Sequence, residues 1–222
     1  MKTNAELQRD VQDAIKWEPL LNAAEIGVTA KDGIVSLTGV VDNYAKKLEA
    51  ENAAKRVIGV KALVEKIEVK IPNSWTKTNA EIAKEVTNAL ESNWSVPSDK
   101  VKVEVEDGWV TLEGELPWNY QKEAAKSAVN YLTGVKGVFN NITIKSDTQD
   151  AIEKENVVDA IARSWSVDDS DINVSVSGTT VTLSGTVDSW YQKEEADRIA
   201  WKTPGICNVK NELAVDYEYA FD

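Results

Sequence analysis

The chain has 222 residues and a formal net charge of −12 at pH 7, which repels nucleic acid and anionic lipid headgroups unless a local patch overrides it. Histidine is absent and cysteine occurs once, which excludes the commonest general base, the commonest zinc ligand and an internal disulfide framework. The N-terminal residues lack the apolar core of a secretory signal, so we expect a cytoplasmic protein, or a periplasmic one if a signal peptide has been removed.

The first predicted elements follow the order α-β-β-α-β. Thr3-x-x-Glu6 predicts a capping box, and apolar residues at helical spacing follow it. Alternating apolar residues then predict two strands joined by a tight turn at Asp32-Gly33. An alanine-rich helix comes next, and alternation returns in a last strand. Because apolar residues occupy one face of each strand, both helices are expected on that face.

The same pattern occurs three times. Residues 33–39 align without gaps with residues 108–114 and 179–185, at offsets of 75 and then 71 residues. A repeat this long is not a solenoid unit, because each copy can bury its own core. The sequence therefore predicts an α+β protein of three tandem modules, each with a small three-stranded mixed sheet and two helices on one of its faces. The predicted modules are residues 1–72, 73–147 and 148–222.

Helix signals and charge differ among the modules. The second module repeats the capping box at Thr78-x-x-Glu81, and the third has the variant Asp150-x-x-Glu153. The net charges of the three modules, in order, are 0, −3 and −9. An anionic partner is therefore expected to prefer the first module.

The turn, the return strand and the second glycine together resemble the BON domain. The pattern is Asp-Gly-x-Val-x-Leu-x-Gly, an alanine-rich helix and then Gly-Val. It covers Asp32 to Gly39 with Gly59-Val60, and Asp107 to Gly114 with Gly134-Val135. The third module departs from it, with Ser177-Gly178-Thr179 at the turn and Pro204-Gly205-Ile206 near the second glycine.

The resemblance implies a non-catalytic protein without a cofactor. BON proteins include osmotically induced periplasmic proteins, modules associated with secretins and mechanosensitive channels, and a cytoplasmic potassium-binding protein. The family is usually linked to phospholipid or envelope binding under osmotic stress. It implies a stress- or envelope-related adaptor that binds a phospholipid headgroup, a membrane protein or a client polypeptide, with peripheral membrane contact and no nucleic acid. The alternative is a cytoplasmic sensor of potassium or calcium.

Aromatic residues are the candidate contact residues. One or two stand where each second helix is predicted to begin, and lysines follow them. Such a ring can contact a headgroup, a peptide or a sugar. A further tryptophan faces outward on a predicted strand. The candidates are Tyr44, Trp109, Trp118, Tyr120, Trp190 and Tyr191. Alternatively, the rings at the helix starts cover the small cores or form a seam between modules.

Six glycines are expected to be structural. Three stand late in the return strand, where glycine marks a bulge or a close backbone approach, and three are expected to cap the second helix. They are Gly39, Gly114 and Gly185, and then Gly59, Gly134 and Gly205.

The remaining tryptophan, cysteine and acidic residues do not indicate a catalytic or metal-binding site. We expect Trp94 and Trp165 at the edges of the cores, and Cys207 to be an incidental thiol. The acidic clusters Asp168-Asp169 with Asp171, and Glu104-Glu106-Asp107, are expected to be solvated rather than metal ligands. No acidic pair recurs in all three modules, so the sequence predicts neither a catalytic site nor a metal site.

Overall fold

The computed structural model describes residues 2–22, 25–145, 154–163 and 171–216. The helices are α1 (Asn4–Trp17), α2 (Tyr44–Lys55), α3 (Asn79–Ser92), α4 (Asn119–Asn130), α5 (Lys154–Ala162) and α6 (Trp190–Ala200). The strands are β1 (Ile26–Lys31), β2 (Ile34–Val41), β3 (Ala62–Val69), β4 (Val101–Glu106), β5 (Trp109–Leu116), β6 (Gly137–Ile144), β7 (Ile172–Ser177), β8 (Thr180–Val187) and β9 (Asn208–Val215). The predicted α-β-β-α-β order is confirmed in all three modules.

Both predicted capping boxes that lie within the described residues are formed. Thr3 Oγ1 accepts a hydrogen bond from the Glu6 backbone N–H at 3.2 Å, and the Glu6 carboxylate accepts from the Thr3 backbone N–H at 2.8 Å. Thr78 and Glu81 repeat the arrangement at the start of α3. These bonds satisfy backbone donors that a helix start otherwise leaves unpaired. The variant Asp150-x-x-Glu153 lies outside the described residues.

Each sheet has three strands with the return strand in the centre. In the second module β4 pairs antiparallel with β5, from Val101 opposite Gly114 to Glu106 opposite Trp109. β5 then pairs in parallel with β6. The predicted tight turn is confirmed, because Asp32 and Gly33 have φ of 52° and 79°, and Asp107 and Gly108 repeat it in the second module with 48° and 83°. Positive φ at both positions is typical of the hairpin turn that matches the natural twist of strands.

The helices cover one face of each sheet. In the second module α3 contacts β4, and α4 contacts β5 and β6. Val110, Leu112 and Leu116 of β5 are buried on that side, whereas Trp109 and Glu113 lie exposed on the other. In the third module Val181 and Leu183 of β8 belong to the core in the same way. The strands' period of two therefore gives each module an outward sheet face, opposite to the one that its described helices cover.

By compactness the chain divides into two units. One contains Met1–Gly39, Leu48–Ile67 and Thr148–Asp222, and the other contains Val40–Lys47 and Glu68–Asp147. Within the first unit an ion pair joins α2 and α6, in which Lys55 Nζ lies 2.9 Å from Glu194 Oε1. None of the described helices combines the length and the apolar character needed to cross a membrane.

Candidate functional site: exposed aromatic residues

The outward face of the β4–β5–β6 sheet carries two stacked aromatic rings. Trp109 is the first residue of β5, and Phe139 lies in the neighbouring strand β6. Their ring centroids are 5.1 Å apart and their planes differ by 17°. The two side chains are still 40% and 53% exposed, respectively. Since no helix of the module covers this face, the pair offers a broad apolar contact surface.

Gly137 fixes the position of the Trp109 ring. The two residues are Cα partners in the parallel β5–β6 pair. A Cβ added at Gly137 would lie only 2.2 Å from Cζ3 of the indole, so the ring rests on the glycine backbone. The aromatic pair, which we call the sheet aromatic pair, is therefore held by two strands rather than by a loop, which favours a preorganised contact.

The start of α4 presents a second aromatic surface. Trp118 occupies the N-cap position and supplies no side-chain hydrogen bond to the helix. In the corresponding position of α6, Ser189 accepts a hydrogen bond from the Gln192 backbone N–H at 3.1 Å. Replacing a capping side chain costs about 1 kcal/mol. Capping of α4 therefore does not explain why a tryptophan occupies this position. Trp118 is half-buried, and Tyr120, two residues later, is exposed.

Trp190, at the start of α6, is engaged within the first unit. Its Nε1 donates a hydrogen bond to Glu194 Oε1 at 3.1 Å, and Lys55 Nζ lies 5.8 Å from the ring centroid. The same Lys55 pairs with Glu194. These contacts join α2 of the first module to α6 of the third, so Trp190 forms part of a seam between modules. This is the alternative stated for the aromatic candidates.

An ion pair stands beside this seam. Arg198 Nε donates a hydrogen bond to Glu195 Oε2 at 2.7 Å. This bond lowers the pKa of the Glu195 carboxyl and raises the pKa of Arg198, because it favours the charged form of each group. Tyr191 lies in the same helix and remains exposed.

Tyr44 is the least accessible of the six aromatic candidates. It opens α2, as predicted, but it is only 9% exposed. Little of its ring is available to a partner. Of the six candidates, Trp109, Tyr120 and Tyr191 are therefore accessible, and Trp118 is half-buried.

Comparison with known families agrees with this repeated architecture. The family model of the BON domain matches residues 3–71, 78–146 and 149–217. The chain belongs to the BON domain family. A curated BON relative, osmotically-inducible protein Y of Escherichia coli (strain K12), is 30% identical over 129 residues. That match spans 56% of this chain and 64% of the relative, which is less than two thirds of the relative's length.

Two solved structures of CdsD, a structural protein of the type III secretion system of Chlamydia trachomatis, are also similar over the chain. The first is its C-terminal domain, 17% identical, with 97% of this chain and 100% of that chain covered and a TM-score of 0.25. The second is also 17% identical, with 96% and 95% covered and a TM-score of 0.24. Scores this low support no inference from CdsD to this protein.

The BON glycines late in the return strands have a backbone role. Gly39, Gly114 and Gly185 have φ of 144°, 149° and 117°. A Cβ at any of them would lie within about 2 Å of a backbone carbonyl oxygen from the residue before the first strand. The close approach predicted for these positions is therefore present in all three modules.

The second set of glycines differs from the prediction. Gly134 has a positive φ of 95°, but α4 ends at Asn130 and its C-cap is Tyr131. The glycine instead lies in the following turn, where an added Cβ would be 3.1 Å from the side chain of Ile82 in α3. Gly59 faces Leu7 of α1 in the same way. These BON glycines let the turn approach the first helix. Gly205 also has a positive φ, beyond the end of α6.

Three exposed aromatic residues were missed or misplaced by the sequence analysis. Trp94 was expected at a core edge, but it is 93% exposed because the chain leaves α3 at Asn93 in an extended conformation. Trp17 is 89% exposed, since it lies two residues beyond the buried Ile15 and so roughly 200° around the helix. Phe139 was not singled out. Trp165 lies outside the described residues.

The remaining candidates give no site within the described residues. Across residues 2–22, 25–145, 154–163 and 171–216, no group of three or more metal-ligating side chains is positioned to hold an ion. Glu104 and Glu106 are both exposed on β4. Cys207 Sγ lies 3.9 Å from the Gly205 carbonyl oxygen. Asp168 and Asp169 fall outside the described residues.

Proposed function

We propose that this BON protein is a non-catalytic binding protein that engages a polypeptide partner during osmotic or envelope stress. The stacked Trp109–Phe139 pair, exposed on the outward face of a sheet, is the observation that carries the proposal. Family membership and the similarity to an osmotically-inducible protein support the link to stress. The net charge of −12 favours a polypeptide partner over an anionic bilayer.

The size of the sheet aromatic pair limits what it can do alone. Covering the exposed parts of the two rings would remove about 200 Å² of apolar surface from water, which corresponds to roughly 5 kcal/mol. Association itself costs about 4–15 kcal/mol. The pair therefore acts as the centre of a larger contact, to which polar groups around it contribute.

The test compares the unaltered protein with a variant whose second sheet lacks the two aromatic rings. Trp109→Ile with Phe139→Val gives the second module the residues that the first has at Ile34 and Val64, so the change is compatible with the fold. The probe is reduced, carboxymethylated lysozyme, an unfolded polypeptide, and its binding is followed by fluorescence anisotropy. We expect the double variant to bind at least fivefold more weakly than the unaltered protein. Equal affinity of the two proteins would refute the proposed site.

A second candidate is contact with a lipid surface, favoured by the nearly complete exposure of Trp17 and Trp94. Indole rings are enriched at membrane interfaces. Co-sedimentation with phosphatidylcholine vesicles, and with vesicles that also contain phosphatidylglycerol, tests it at low and high salt. Lipid would become the favoured partner under two conditions. The double variant Trp17→Ser with Trp94→Ser must abolish sedimentation, and Trp109→Ile with Phe139→Val must leave it unchanged. Potassium or calcium sensing is checked by a cation-dependent shift in melting temperature.

A further inference from the structure

Three carboxylates share the outward sheet face with the sheet aromatic pair. Glu106 is the Cα partner of Trp109 across the β4–β5 pair, and Glu104 is the partner of Thr111. Thr111 is in turn the partner of Phe139 across the β5–β6 pair. Glu113 lies two residues beyond Thr111 on the same face. The three exposed carboxylates therefore lie on the same outward face as the two rings.

These carboxylates have no cation partner in the part of the chain that the structure describes. None of its ion pairs includes Glu104, Glu106 or Glu113. Lys102 is the Cα partner of Glu113 and the one basic residue of β4. The face thus carries an excess of negative charge beside an apolar surface.

The other modules show that this combination is specific to the second sheet. At the positions of Trp109 and Phe139 the first module has Ile34 and Val64, and the third has Thr180 and Lys210. At the positions of the three glutamates the first module has Thr29, Lys31 and Thr38, and the third has Ser175, Ser177 and Ser184. The third module is the most acidic of the three, yet its sheet has no carboxylate at these positions. The glutamates are therefore not explained by the general acidity of the chain.

We propose that this face of the second sheet binds a basic polypeptide segment. A lysine or arginine side chain of the partner lies against Trp109 and Phe139 and pairs with the carboxylates on the same face. Cations are attracted to the faces of aromatic rings, and a flat guanidinium also stacks on them. The inference rests on the proposed function, because it names the chemistry of the partner at the same site.

The binding test uses three labelled 20-residue peptides that share two leucines and differ at four positions, which hold arginine, glutamine or glutamate. Affinity is measured by fluorescence anisotropy with the full chain at two salt concentrations. We expect the arginine peptide to bind at least tenfold more tightly than the glutamate peptide, with a difference that shrinks at high salt. The glutamine peptide is expected to lie between them.

Three variants, one of them a control, locate the site. Glu104→Ser, Glu106→Ser and Glu113→Ser together give the second sheet the residues of the third, and should weaken arginine-peptide binding about tenfold. Glu91→Gln with Asp99→Asn removes two exposed carboxylates elsewhere in the same module and should change it less than twofold. Gly137→Ala displaces the indole without altering any charge, and should weaken all three peptides. Circular dichroism checks that each variant is folded.

The outcomes separate this inference from the proposed function. Equal affinity for the arginine and glutamine peptides, unchanged by the triple serine variant, would overturn the basic-segment inference and leave a polypeptide site on the aromatic pair. Binding of none of the peptides, together with failure of the unfolded lysozyme probe, would overturn both.

Discussion

Gly185 is one of three positions, with Gly39 and Gly114, where the structure predicts a sharp loss of stability from one added methyl group. Its φ is 117°, which side chains other than glycine rarely adopt. A Cβ there would lie 1.9 Å from the backbone oxygen of Asp171. That oxygen also accepts a hydrogen bond from the Thr186 N–H at 3.3 Å. Gly185→Ala must therefore move the start of β7 away from β8.

The expected cost comes from two effects. Holding alanine in this backbone region costs about 1–3 kcal/mol, and losing the Thr186 hydrogen bond costs about 1 kcal/mol. The sum is roughly 2–4 kcal/mol. Gly178→Ala, in the turn of the same hairpin, is the matched control. Its φ is 57°, but a Cβ there meets nothing within 4 Å, so we expect a loss of about 1 kcal/mol.

Hydrogen–deuterium exchange of the full chain measures the effect where it arises. Peptides from β7, β8 and β9 should exchange roughly 30- to 1,000-fold faster in Gly185→Ala, if exchange reports the opening equilibrium. Peptides from β4, β5 and β6 serve as the internal reference and should change much less. If Gly185→Ala exchanges no faster than Gly178→Ala, the argument from the carbonyl contact is wrong.

Two further predictions concern a helix start and the seam. Thr78→Ala removes a capping side chain and should lower the free energy of unfolding by about 1 kcal/mol in urea titrations. The hydrogen bond from the Thr78 backbone N–H lowers the pKa of Glu81, so its contribution is present above the ordinary glutamate pKa and is lost as pH falls through the lowered value. Titration of Glu81 by NMR should show the lowered pKa, and a normal value would contradict the capping box. Lys55→Gln removes the ion pair with Glu194 and should cost less than about 1 kcal/mol. Because Lys55 also contacts the Trp190 ring, the variant should change Trp190 fluorescence. An unchanged spectrum would argue against this contact.

Local sequence patterns were sufficient to predict the helices, strands and turns of the fold. The Thr3 and Thr78 capping boxes and the Asp-Gly turns require only nearby residues, so their spacing predicted them correctly. The glycines late in the return strands were likewise recognised from position alone. Repetition then supplied the module architecture, because the same order of elements occurs three times.

Contacts between residues that are distant in the sequence could not be predicted from local patterns. Alternation with Ile142 and Ile144 places Val138 on the core side and Phe139 on the outward face, but it does not show which strand lies next to β6. Only the β5–β6 register places Phe139 near Trp109. Trp190 has the same local signal as an exposed aromatic residue, yet Lys55 of another module reaches it. No local pattern reports such a contact.

The alternation of the strands has a consequence for valency. Side chains that face the helices determine the core, while those on the opposite face can differ without repacking it. At the described positions, the aromatic and acidic surface belongs to one sheet of three, so the chain presents this surface once and gains no avidity from its repeats. Placing the same residues on all three sheets should create a trivalent binder on an unchanged set of cores, in which linkage rather than new contacts strengthens attachment to a repetitive partner.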